Sequence, residues 1–233
     1  MRPTSRSGAL LANPALSPEA EAQKFIDAGK GVADVKAALD GARHILIERI
    51  GEDAKVVGTL REWLWTSGEA RSKMVKGKET EGAKFSDYFD FKGRLSDMPS
   101  HRVLALLRGR NEGVLDLDLD VERQDGKAHP ADGKIMSAFN IADRGRPADK
   151  WLAETVRLAW KAKVHPSLSV DLVMRAKERA DAEAISVFSK NLKDLLLAPP
   201  AGNRATMGLD PGIRTGVKVA LVAPTGEGLD TPT

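Results

Sequence analysis

A mainly α-helical, multi-helix region with one minor strand, followed late in the chain by a strand–turn–strand unit, is the fold class the sequence predicts. Three observations carry it. Apolar residues recur near a period of 3.6 over several long segments, Leu115, Leu117, Leu119 and Val121 alternate strictly with Asp116, Asp118 and Asp120, and the glycine-rich stretch Gly208–Gly216 separates two short apolar runs.

Residues 1–16 are small and polar with one short apolar run and are expected to fray. Ser17-Pro18-Glu19 reads as a helix start, with Ser as N-cap and Pro at the first helical position. A second helix is predicted over 32–50 from Val35, Leu39, Ala42, Leu46 and Ile50, interrupted at Gly51. A third is predicted over 53–67 with Val56, Val57, Leu60, Trp63 and Leu64 on one side. Two helices joined by a short turn form an αα-hairpin, the geometry from which helix-turn-helix units are also built. Residues 68–98 read as irregular, rich in Gly and Lys and then aromatic at Phe85, Tyr88, Phe89 and Phe91. A helix over 100–110, with Ser100 as N-cap, precedes the alternating strand, whose three aspartates are expected on a solvated face. Helices over about 133–141, 147–164 and 166–198 follow. The last keeps an apolar seam from Leu168 through Leu172, Ala176, Ala180, Ala184, Phe188 and Leu192 to Leu195, the pattern of a structural spine. Pro199-Pro200-Ala201-Gly202 ends it and divides a helical region, 1–203, from a second domain that starts at 204–233.

The composition is that of an ordinary globular protein, 42% hydrophobic and 30% charged over 233 residues. No apolar stretch approaches the roughly 18–20 residues that span a bilayer, and no signal-peptide pattern opens the chain. Zero cysteines exclude disulfides and thiolate metal sites. These features predict a cytoplasmic protein without a membrane partner. A net charge of +3 is too small for bulk electrostatic binding, so any nucleic-acid surface must come from local clustering of Lys and Arg.

In GLDPGIRTG, Asp210 falls where the first strand is expected to end, with Pro211-Gly212 turning the chain. A carboxylate at a strand tip is how RNase H-like nucleases begin a two-metal site, because hard cations need clustered oxygen ligands. One carboxylate is not a cluster, and Asp210 serves equally to fix the turn. Asp116-x-Asp118-x-Asp120 lacks the Gly and Glu of a calcium loop, with Val121 and Lys127 in their places. His44, His101, His129 and His165 show no metal-ligand spacing, so neither a metal site nor a cofactor is expected.

The segment SHRVLALLRGRNEG, 100–113, combines an apolar helix face with His101, Arg102, Arg108 and Arg110. Guanidinium groups beside glycine suit phosphate contact; cations in a last helical turn also complement the helix dipole. Lys76 and Lys78, in the Lys73–Lys84 segment, are weaker phosphate candidates.

GARHILIERI (41–50), LREWLW (60–65), VKGKETEGAKFSDYFDF (75–91), PSHRVLALLRGRNEGVL (99–115) and the long stretch 176–220 resemble, in one register, the bacterial Tex family of RNA-binding transcription accessory proteins. The resemblance implies a helical region with helix-turn-helix character leading into a YqgF (RNase H-like) α/β domain. Helix-hairpin-helix elements and an OB-fold RNA-binding domain belong to the same plan. On that plan this chain corresponds to a fragment: the helical region, incomplete at its N-terminus, and the first β-hairpin of the YqgF domain. It implies a non-enzymatic scaffold that binds RNA, and DNA as a second nucleic acid, close to the transcription machinery. Two rival functions stay open on the residues: a Mg²⁺-dependent resolvase-type nuclease using Asp210, and a protein–protein spine built on the helix 166–198.

Overall fold

A computed structural model describes residues 8–121, 128–199, 202–212 and 216–231. By its internal contacts the chain forms two compact units, Met1–Ala184 and Ile185–Thr233. The fold is mainly α, with minor strands gathered in two small antiparallel sheets.

In the first unit a short helix α1 (Gly8–Ala12) buries Leu10, so part of the segment expected to fray is packed. Helix α2 (Pro18–Gln23) starts as predicted, Ala20 N–H donating to Ser17 Oγ. Helices α3 (Val35–Glu52) and α4 (Ala54–Ser67) form the expected pair. Gly51 does not break α3; the corner is Asp53 alone, whose carboxylate accepts the N–H of Lys55 and Val56. Arg61 and Glu62 on the outer side of α4 are both ion-paired to a later helix, through Asp171 and Arg175.

The stretch expected to be irregular contains two strands. β1 (Glu69–Met74) and β2 (Asp90–Arg94), with a 3-10 turn at Ala83–Tyr88 between them, join β3 (Leu115–Asp120) in a sheet of order β2-β1-β3. EARSKM hides its strand because its inward positions are the small Ala70 and Ser72, both buried, and not large apolar residues. Ser72 Oγ satisfies itself by donating to the carbonyl of Tyr88. On the outer face the register sets Lys73 between Asp90 and Asp116, and Arg71 between Lys92 and Asp118. Asp116 and Asp118 therefore stand opposite β1 cations in register while remaining exposed. Asp120 departs from the expected solvated row: it is buried, and accepts from Val121 N–H and from His129 Nε2 at 2.9 Å.

Helix α5 (Ser100–Asn111) packs on this sheet, approaching so closely that a Cβ on Gly109 would sit 2.5 Å from Leu115 Cδ1. Helices α6 (Pro130–Ala138) and α7 (Asp149–Ala159) follow; a single π turn, Trp160–Val164, then runs into α8 (His165–Leu196). The loop before α7 is tied by Asp149, which accepts the backbone N–H of Arg144 and Arg146 and the Arg146 guanidinium. The core gathers Leu46, Leu60, Leu64, Leu106, Ile135, Leu152 and Val156 with Leu168, Leu172, Ala176 and Ala180 of α8. The α8 seam is therefore buried only in its first half; Phe188, Leu192 and Leu195 are exposed.

In the second unit, β4 (Thr206–Gly212), β5 (Gly216–Val222) and β6 (Gly228–Asp230) form an antiparallel sheet in that order. The predicted hairpin is present, and the tail after Val222, whose apolar alternation is lost, nevertheless adds a third strand. Pairing continues to Gly212↔Gly216, so Asp210 lies inside β4 opposite Lys218 rather than at the strand tip. Pro211 is tolerated within β4 because β4 is an edge strand.

Candidate nucleic-acid interface

Helix α5 carries four of the six predicted phosphate contacts, and its geometry separates them. At about 100° per residue, Arg108 lies two turns beyond His101 on the same face, Arg110 is rotated about 160° from Arg108, and Arg102 sits ~9–12 Å along the axis from both arginines. All four side chains are exposed, and none forms an ion pair among the described residues.

The start of α5 meets β2. Arg102 joins Lys92 and Arg94 in one cleft of about 400 Å³, together with Phe91, Gly93, Asp97, Met98 and Pro99. Alternation in β2 explains the composition: Asp90, Lys92 and Arg94 are exposed, while Phe91 and Gly93 are half-buried. The Lys92 ammonium lies 3.1 Å from Glu69, which also binds Arg71 at 3.3 Å; these two cations, Lys92 before Arg71, draw the Glu69 carboxyl below its usual range against the effect of burial. Arg94, opposite Glu69 in register, and Arg102 form no ion pair among the described residues.

The loop between β2 and α5 is pinned from α8. The Arg179 guanidinium donates to the carbonyls of Leu95 at 3.1 Å, Met98 at 2.9 Å and Ser96. Arg175 and Arg179 lie over the Trp65 ring at 4.3 and 5.5 Å. Ser100 is the first helical residue after Pro99, not the N-cap expected from sequence, and its hydroxyl donates to the Glu183 carboxylate. The cleft thus has a preset shape.

The other end of α5 differs. Arg108 and Arg110 stand in its last turn. Lys76 and Lys78 lie in the turn after β1, close by, since Val75 N–H donates to the carbonyl of Val114 just beyond α5. Lys76 is exposed and has no ion pair among the described residues, whereas Lys78 is paired with Glu81 and Lys84 with Glu112. The predicted residues therefore fall into two groups: Arg102 at the cleft, with His101 beside it in the first turn of α5, and Lys76, Lys78, Arg108 and Arg110 at the opposite end. Lys92 and Arg94 were missed because DFKGR carries a strand alternation that is visible only once residues 90–94 are known to pair with β1.

Asp210 is exposed in the second unit, and the described residues hold no group of three or more His, Asp or Glu side chains able to hold a metal ion. The buried histidine is structural. His129 Nδ1 accepts the Ala131 N–H and so caps α6, leaving Nε2 to donate to Asp120; its ring stacks on Trp160 at 5.1 Å. His165 Nε2 donates to the Leu119 carbonyl at 2.6 Å. No helix among the described residues is long and apolar enough to cross a membrane.

The family described as Tex central region-like matches residues 13–188. Protein YhgF of Escherichia coli (strain K12) is 50% identical over 96% of this chain and 29% of its own length. The Transcriptional accessory protein Tex of Neisseria gonorrhoeae is likewise 50% identical, over 95% of this chain and 29% of its own. The human S1 RNA-binding domain-containing protein 1 is 27% identical over 87% of this chain and 21% of its own. The chain thus spans about three-tenths of the length of the bacterial relatives it matches.

Proposed function

Because the chain belongs to the Tex central region-like family, we propose that it is a nucleic-acid-binding scaffold of a transcription accessory factor, acting on RNA and not as an enzyme. The observation that carries this reading is the set of exposed cations without an ion-pair partner among the described residues, Lys76, Arg94, His101, Arg102, Arg108 and Arg110, gathered around one helix and its sheet. Exposed guanidiniums that form no ion pair have their N–H donors available to phosphate oxygens. Two relatives support the same direction by name, one a transcriptional accessory protein and one an S1 RNA-binding domain-containing protein.

The test is titration of labelled single-stranded RNA at several salt concentrations. About four phosphate contacts on a single strand predict a log–log salt slope near −3, hence binding about 50-fold weaker at 200 mM than at 50 mM salt. Charge reversal of Arg108 and Arg110 is expected to lower affinity and flatten that slope. Unchanged binding would remove these two residues from the interface.

A further inference from the structure

The cleft between β2 and α5 has a mixed chemistry that a plain phosphate site does not need. Two guanidiniums, Arg94 and Arg102, stand at it without carboxylate partners among the described residues. Its remaining walls include Phe91, Met98 and Pro99, an apolar surface beside the two charges. Gly93 keeps that surface open: a Cβ there would meet the Phe91 ring at 3.0 and 3.2 Å and Met98 Cε at 3.5 Å. One acid, Asp97, also lines the cleft and accepts a hydrogen bond from the neighbouring Ser96 hydroxyl at 3.0 Å. A carboxylate opposes a bare anion but can accept from the exocyclic amino group of a base.

Size and shape narrow the ligand further. A volume of about 400 Å³ falls at the lower end of small-molecule sites. The recess opens to solvent and has room for one nucleotide unit; the bases of a paired helix, stacked on one another, cannot rest on its wall. An acidic peptide would satisfy the arginines and leave the apolar wall unused. A single-stranded nucleotide uses all three elements: phosphate on arginine, base on an apolar and aromatic surface, amino group on carboxylate. The Arg179 clamp on the 95–98 loop means that little ordering is required on binding.

We propose that this cleft captures one unpaired nucleotide of an RNA strand, its phosphate held by Arg94 and Arg102, its base resting on Phe91, Met98 and Pro99, and its amino group donating to Asp97. The proposal rests on the nucleic-acid reading above and assigns that reading a site and a base preference. A base with an exocyclic amino group (cytosine, adenine or guanine) is bound in preference to uracil, which has none.

The experiment uses the full chain with fluorescein-labelled oligo(C), oligo(A), oligo(U) and an RNA duplex of equal length at 50 mM salt. Oligo(C) and oligo(A) are expected to bind at least several-fold more tightly than oligo(U) or the duplex. R94E/R102E is expected to weaken oligo(C) binding tenfold or more and to reduce the salt slope by about 0.7, the share of the one phosphate the two arginines hold on a single strand. Asp97→Asn is expected to erase the preference for oligo(C) over oligo(U). Both arginines are exposed, and a melting temperature unchanged in the double variant confirms that its fold is intact. Wild-type affinity in R94E/R102E together with loss in R108E/R110E would overturn the cleft while leaving the nucleic-acid function standing. Equal affinity for duplex and single strands would overturn the unpaired-nucleotide assignment. No binding of any oligomer would overturn the function itself, and the cleft with it.

Discussion

Asp149 illustrates how one buried side chain holds an irregular segment in place. It is 1% exposed, and its carboxyl is held at about 2, first by the Arg146 guanidinium and then, against desolvation, by the N–H groups of Arg144 and Arg146. The folded value lies below the ordinary 3.8, so the contribution is complete above that value and is lost as pH falls from about 4 towards about 2. Melting temperature measured from pH 2 to 6 should therefore drop across that window in the wild type. In Asp149→Asn it should start lower and lack this component. Parallel curves for the two proteins would mean that the ion pair does not form in solution.

Between elements, α8 does more than fill the core. Arg179 ties the loop before α5 with three hydrogen bonds to carbonyls and shares the Trp65 ring with Arg175, so a single side chain joins α4, α5, α8 and β2. Charge-assisted hydrogen bonds contribute about 1.5–3 kcal/mol each where the partner would otherwise be left unsatisfied, and such contributions do not simply add. Arg179→Ala should lower stability by about 2–4 kcal/mol in urea unfolding. Arg179→Lys should recover little, since an ammonium cannot present the planar fork that reaches three carbonyls. A loss below about 0.5 kcal/mol would show that the loop holds its shape without the clamp. The same element-scale view bears on helix-turn-helix character: α4 has its outer Arg61 and Glu62 committed to α8.

For the whole molecule, apolar surface is distributed unevenly. Ile185, Phe188 and Leu195 are 69%, 67% and 74% exposed, and Met207 and Leu209 on β4 are similarly open. Register places Met207, Leu209 and Pro211 on one face with Leu221, Val219 and Val217. Exposed apolar faces and an uncovered edge strand favour association. This polypeptide should sediment as a concentration-dependent mixture, and Phe188→Glu with Leu192→Glu should shift it towards monomer. Limited proteolysis should cut within 204–231 before the helices of the first unit. Equal protection of both regions, or a single concentration-independent species, would contradict this picture.

Local signals in the sequence were enough for the helices after α1, the strand at 115–120 and the paired run around Asp210, because each is written as a period, a cap or a turn within a few residues of itself. Ser17-Pro18 and the 3.6-residue stripe of α8 need no partner to be legible. Four results needed the tertiary structure: β1 and β2, whose inward residues are small; the burial of Asp120 against His129; the half-exposed α8 seam; and the joining of Arg102 to Lys92 and Arg94. Each depends on what lies opposite a residue across space. A side chain's partner in a sheet or cleft is set by pairing between distant segments, and period and composition carry no record of it.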